Sequence, residues 1–243
     1  MTAPLRLAMW SGPRNISTAM MRSWGNRADT VVIDEPLYAF YLHATGKKHP
    51  GADEVIASDE TDWRKVTASL TNETSAGKSI IYQKQMTHHL LPQVDRAWIA
   101  SLTNCFLIRD PAEVIASYLR KNDDPEVEDV GFVQQVEIFD WVRARSGKIP
   151  PVIDARDVLE NPERMLRLLC TAVGAPFDSA MLSWPPGLRE TEGVWAKHWY
   201  GEVAQSTSFA SPRPNETRAP DRLRSVYERC RECYEHLLPH RLR

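Results

Sequence analysis

Short apolar runs rich in β-branched residues alternate along this chain with longer stretches of helical periodicity, and that alternation restricts the fold more than any other feature. Leu5–Trp10, Val31–Asp34, Ser79–Gln83, Asn104–Ile108 and Val152–Asp154 read as buried strands. Thr18–Gly25, Trp63–Asn72, Ala112–Lys121, Gly131–Ala144 and Pro162–Val173 read as helices, and Pro220–Leu238 as a closing helix. Strand and helix in alternation imply an α/β three-layer sandwich with a mainly parallel central sheet. The strand ending at Asp34 is expected beside the first. No repeat or linker divides the 243 residues, so one domain over 1–243 is expected. Within it Ser183–Pro220, rich in Pro, Trp and Ser and without a sustained period, reads as a lid or acceptor segment.

Composition removes some classes of function. The formal net charge is −2, so no basic excess points to nucleic acid or an anionic membrane as the main partner. No apolar run approaches the roughly 20 residues that span a bilayer. The start, MTAPLRLAMW, lacks the charged and apolar regions of a secretory signal, so a cytoplasmic protein is expected. Four cysteines in a chain this long make no disulfide framework. Cys230 and Cys233 form a CxxC inside a helical pattern and read as two thiols on one helix, with His236 and His240 too few for a metal site.

The stretch Ala8–Met21, AMWSGPRNISTAMM, ends an apolar run, turns at Gly-Pro and enters a helical pattern through two hydroxyl residues. In open parallel sheets ligands sit at the carboxyl ends of strands, and a helix N-terminus there favours an anion. Ser17 and Thr18 add hydroxyl donors and Arg14 a charged fork. The plain structural reading is a strand-to-helix turn with Ser17 as N-cap. By contrast, NETSAGKS (72–79) only imitates the close of a nucleotide loop. It has Asn72 where the first glycine should stand and leads into a strand, so it reads as a turn.

At this point the motifs carry a resemblance. SGPRNISTAM resembles the 5′-phosphosulfate loop of the sulfotransferases, a basic residue, two variable residues and a Ser/Thr pair. Arg14 falls on the basic position, Asn15 and Ile16 between, and Ser17 and Thr18 on the pair. FLIRDPAEVIASYLRK is similar to the family's 3′-phosphate motif, which places Arg109 and Ser117. DARDVLENPERMLRLLCTAVGAPF is similar to a third family segment, and the matches occur in the family's order. The resemblance implies a P-loop NTPase-like fold, PAPS as sulfuryl donor, PAP as product and no metal. The residues agree with two separate anion sites, although Asp110-Pro111 is also an ordinary helix start.

Sulfuryl transfer needs a base for the acceptor's proton and cations for the leaving group. In VVIDEPLYAF the resemblance points to Glu35 as base, with Asp34 as its neighbour; a charged turn before Pro36 is the plain reading. YQKQMTHHLLP is similar to the family's Lys-Thr-His-Leu-Pro segment, with two residues between Lys84 and Thr87-His88. It offers His88 or His89 as the rival base and Lys84 as a transition-state cation. Glu35 is preferred. The lid lacks the family's Arg-Lys-Gly triplet. Lys197 is the candidate replacement, with Ser206 and Thr207 as phosphate donors and Trp195, Trp199 and Tyr200 as stacking or packing rings. Ala155 stands where many members carry Tyr.

These readings lead to a sulfotransferase acting on a small-molecule alcohol or amine, with Pro36–Asp59 and Ser183–Phe209 shaping its pocket. A divergent Mg-dependent P-loop kinase or nucleotide hydrolase is the alternative enzyme, and a nucleotide-binding module without activity is the alternative that is not one.

Overall fold

Leu7 and Met9 of the first strand, β1 (Leu5–Ser11), point to one face and Ala8 and Trp10 to the other, and all four are fully buried. A strand covered on both sides belongs in the middle of a parallel sheet. The computed structural model describes residues 3–72, 77–122, 124–212 and 217–243. In it β1 is joined by β2 (Thr30–Asp34), β3 (Ile80–Met86), β4 (Thr103–Ile108) and β5 (Val152–Asp154) in one parallel sheet of order β2-β3-β1-β4-β5.

The expectation that β2 lies beside β1 is corrected, because β3 stands between them. The burial patterns give the reason. All seven residues of β3 are buried, whereas the five-residue β2 is buried only at its ends, which suits an edge. The register sets Asp34 beside Lys84 and Lys84 beside Met9, so the carboxylate at the end of β2 meets an ammonium one strand inward.

Eleven helices follow in chain order among the described residues: α1 (Ser17–Gly25), α2 (Tyr38–Thr45), α3 (Ala52–Ser58), α4 (Trp63–Asn72), α5 (Pro111–Tyr118), α6 (Phe132–Ser146), α7 (Ala155–Glu160), α8 (Pro162–Val173), α9 (Ala196–Trp199), α10 (Gly201–Ala204) and α11 (Arg224–Leu237). Helices α1, α7 and α8 cover the face of Leu7 and Met9, with Met20, Met21, Trp24, Val158, Leu166 and Leu169 packed beneath them. Helices α4, α6 and α11 cover the face of Ala8 and Trp10, through Val66, Leu70, Ile138, Phe139 and Leu237. This is the three-layer sandwich.

Local chemistry sets the helix starts. Asp110 accepts from the Ala112 amide at 2.8 Å with Pro111 at the first position, and Asn161 caps α8 ahead of Pro162. The closing helix begins later than expected, at Arg224, after a 3-10 turn over Asp221–Leu223. Cys230 and Cys233 are free thiols buried against Val114, Val130 and Phe132, and burial pushes Cys230 up to about 12. Of the turn read at 72–79, residues 73–76 lie outside the described residues; Gly77 has φ +83° and the amide of Ser79 donates to Asp29 O at 3.0 Å. Among the described residues no helix is long and apolar enough to cross a membrane.

Candidate active site

The loop from β1 to α1 is shaped by one close approach. A Cβ on Gly12 would stand 2.6 Å from the Val130 carbonyl oxygen, so this position admits only glycine. Arg14 follows with φ +56°, and the Asn15 side chain donates to Leu107 O at 3.0 Å while accepting from the Ile16 amide at 2.8 Å. Ser17 is therefore the first helical residue and not the N-cap; Ile16 holds that place without a side-chain cap. The first intrahelical bond runs from Met20 N to Ile16 O, so the amides of Ser17, Thr18 and Ala19 precede it, and no acidic residue occupies the first turn. That end of α1 suits an anion.

Beside it stands a cluster of guanidinium groups. Arg109, at the end of β4, donates through Nη1 to the Arg14 carbonyl at 2.9 Å and through Nε to Glu113 at 3.0 Å. Arg14 Nε and Arg120 Nη2 both donate to the Ser117 hydroxyl, at 3.1 and 3.0 Å, and Arg156 reaches Glu113 at 3.1 Å. Burial and then the charge of Arg120 hold the Arg14 pKa below its ordinary value, with Glu202 opposing. A guanidinium whose charge is disfavoured by burial and by a neighbouring cation stands in a site that a bound anion would relieve.

Across the cleft the polar groups are of another kind. Lys84 Nζ donates to Asp34 Oδ1 at 3.0 Å, to Glu35 Oε1 at 2.5 Å and to the Tyr200 hydroxyl at 2.5 Å. Tyr200 in turn donates to Asp34 at 2.8 Å. Burial draws the Lys84 ammonium down, but Asp34 and Glu35 outweigh it and hold it charged. Burial pushes Asp34 up, and the neighbouring Glu35 adds to this. Glu35 has φ +43°, so Arg14 and Glu35 are the only non-glycine residues with positive φ among the described residues. Both line one cleft of about 350 Å³, Arg14 from beyond β1 and Glu35 from beyond β2. Strained backbone gathered at one cavity points to that cavity as functional.

Over residues 5–227 the chain matches the family described as "Sulfotransferase domain". The chain belongs to that family. It is similar to the sulfotransferase from Alicyclobacillus acidocaldarius, with a TM-score of 0.60 at 11% identity over 99% of this chain and 98% of that one. It is also similar to the sulfotransferase domain of the Synechococcus PCC 7002 olefin synthase, with a TM-score of 0.60 at 15% identity over 97% and 96% of the two chains. Two curated proteins of Arabidopsis thaliana, branched-chain-amino-acid aminotransferase-like proteins 1 and 2, are 34% and 31% identical over 99% and 95% of this chain. The chain covers 43% and 41% of those relatives' own length.

Within this sulfotransferase frame nearly all the residues singled out from sequence line the cleft: Arg14 to Thr18, Arg109 and Ser117 at one end, and Glu35, Lys84 and His88 at the other. Lys197 does not. Its ammonium is held at the surface by Glu54, at 2.6 Å. Of the lid residues, Ser206 and Trp199 line the cleft, Trp195 is buried behind Tyr200 and donates to it at 3.1 Å, and Tyr200 joins the Lys84 cluster. Arg120, Arg156 and Glu113 were not foreseen. Arg120 had a signal, since it follows Ser117 by one helical turn. The Pro36–Asp59 segment forms α2 and α3, and Tyr38 and Tyr41 from α2 wall the cleft together with His49, His88 and His89. The His89 ring stacks on Tyr38 at 4.8 Å and on Tyr41 at 4.7 Å.

Burial, and after it neighbouring histidines, hold His88 and His89 neutral, well below the usual imidazole range. Each folded-state value lies under the unfolded one, so the stability present above about pH 6.5 is lost on acidification, by up to about 1.4 kcal/mol per unit for each ring. Chemical denaturation is expected to show a loss of about 2–3 kcal/mol between about pH 7.5 and 5.5. The variant His88→Gln/His89→Gln should lose that share of the slope, while His49, which burial also holds below the usual imidazole range, keeps its own. Asp34 works with the opposite sign, since its folded carboxyl binds a proton more tightly than the unfolded one, so the difference between the two proteins isolates the imidazoles.

Proposed function

We propose that this chain transfers a sulfuryl group from PAPS to a small-molecule alcohol or amine and releases PAP, acting as a single sulfotransferase unit. The observation that carries the reading is the polarity of the cleft: an uncapped α1 N-terminus and four arginines at one end, a carboxylate paired to a buried ammonium at the other. The first end fits a nucleotide bearing both a 5′-phosphosulfate and a 3′-phosphate. The α1 amides with Ser17 and Thr18 would take the 5′ side, and Arg109, Arg120 and Ser117 the 3′ phosphate.

At the second end Glu35 acts as base. Its ion pair with Lys84 falls on Oε1, the oxygen that also lies 3.2 Å from the Tyr200 hydroxyl, and Oε2 has no protein partner among the described residues. The acceptor's proton passes to Oε2 as its oxygen or nitrogen bonds to sulfur; the bond from sulfur to the bridging oxygen breaks and PAP leaves with the electron pair. Arg14 and the α1 amides meet the charge that develops there. His88 is the weaker candidate, because burial makes its imidazolium costly. It is left to hydrogen-bond the acceptor as a neutral ring.

Calorimetry with PAP, and with ATP in the presence and absence of Mg²⁺, tests the donor. Metal-independent PAP binding well ahead of ATP is expected; preference for Mg·ATP would overturn the reading in favour of a kinase. The 3′ site has its own test. Arg109→Ala should weaken PAP by about ten- to hundredfold, the worth of a charge-assisted contact, and a nucleotide without the 3′-phosphate far less. Equal losses on both ligands would move the 3′-phosphate away from Arg109.

A further inference from the structure

An ammonium has three hydrogens to donate. In this structure Lys84 has three close acceptors, Asp34 Oδ1, Glu35 Oε1 and the Tyr200 hydroxyl, and its side chain is 1% exposed. Every hydrogen is engaged before a substrate enters, so none remains for a transferring sulfuryl group. The second acceptor is full as well: Tyr200 Oη accepts from Lys84 and from Trp195 Nε1 and spends its own hydrogen on Asp34. Two of the three ammonium hydrogens are thus held by Asp34 and Tyr200, and the third is directed at Glu35.

We propose that Tyr200 and Asp34 are positioning residues that aim Lys84 at Glu35 Oε1, so that Oε2 alone faces the acceptor. The proposal rests on the reading of Glu35 as the base, and it moves Lys84 from the sulfuryl group to the carboxylate. It also gives the lid a part in the chemistry. Tyr200 lies between α9 and α10, and Gly193 of the same segment approaches Asp34 Oδ2 at 3.5 Å, so this segment completes the set of groups around Lys84.

Tyr200→Phe removes the hydroxyl while keeping the ring, whose centroid lies 4.7 Å from Lys84 Nζ. The expected result is a fall in kcat of about ten- to hundredfold with the KM for PAPS and the affinity for PAP within about twofold of the parent. Asp34→Asn should fall similarly, and the double variant should be no worse than the poorer single one, since both act through the same ammonium. Unchanged kcat, or additive losses, would overturn the proposal. A second readout is independent of turnover. In ¹⁵N-lysine-labelled protein, a Lys84 ammonium held by three acceptors exchanges its hydrogens slowly and gives a cross-peak at neutral pH, identified by its loss in Lys84→Met. That peak should broaden or vanish in Tyr200→Phe; its persistence would count against the proposal. A parent protein that transfers nothing from PAPS would sink the functional reading, while the cross-peak would still decide how Lys84 is held.

Discussion

Replacing Glu35 by Gln is expected to lower turnover by about 10²–10⁴-fold, the usual worth of a positioned general base, with PAP affinity nearly unchanged. The amide keeps the shape of the carboxylate and its oxygen still accepts from Lys84, but its nitrogen can take no proton from the acceptor. Folding should tolerate the change, because Asp34 remains beside the ammonium at 3.0 Å. The measurement is kcat with PAPS beside calorimetric binding of PAP. A variant within tenfold of the parent would transfer the role of base to His88 or His89. Glu35 holds φ +43° and donates its amide to Lys84 O at 3.0 Å, one step past the last ladder pair of β2 with β3. The strand is thereby carried to the point where the side chain turns into the cleft.

The largest effect on stability is expected at Arg22. Its guanidinium, on α1, is paired with Glu192 at 2.7 Å with both side chains fully buried, and it also donates to Val203 O at 2.6 Å and Gly187 O at 2.9 Å. Arg22→Met leaves Glu192 as a buried charge and two carbonyls without their donor. Removing one partner of a buried pair costs about 3–5 kcal/mol, which for a chain of this size lowers Tm by roughly 10 °C. Adding Glu192→Gln should restore part of the loss, since the stranded charge is the greater share of it. A loss below about 1 kcal/mol in chemical denaturation would show that the pair contributes little.

The sheet was legible because burial writes itself into β-branched runs, and the loop after β1 because strand, turn and hydroxyl pair are contiguous. Strand order was less accessible. The choice of β3 over β2 as the neighbour of β1 depends on which strand is covered along its whole length, and Val31 to Ile33 read as apolar whether or not they are covered. The contents of the Lys84 cluster were out of reach for another reason. Its members come from β2, β3 and a segment without a period more than 100 residues later, the Lys84 and Tyr200 pair being 116 apart. Nothing in local pattern says that Tyr200 rather than Lys197 turns inward. The two residues between Lys84 and Thr87 lie within β3, which extends to Met86, and a two-residue step along a strand returns to the same face.

With β1 in the middle of the sheet, the cleft is supplied from two flanks that share little. Arg14, Arg109 and Ser117 hang from β1 and β4, whereas Glu35, Lys84, Tyr38 and Tyr41 hang from β2, β3 and α2. Such a molecule is divided like a tool with a fixed handle and an exchangeable head. Diversification can proceed in α2 and α3 while the proposed nucleotide site on the other flank stays as it is, and a search for altered acceptor preference has its natural library at Tyr38, Tyr41 and His49.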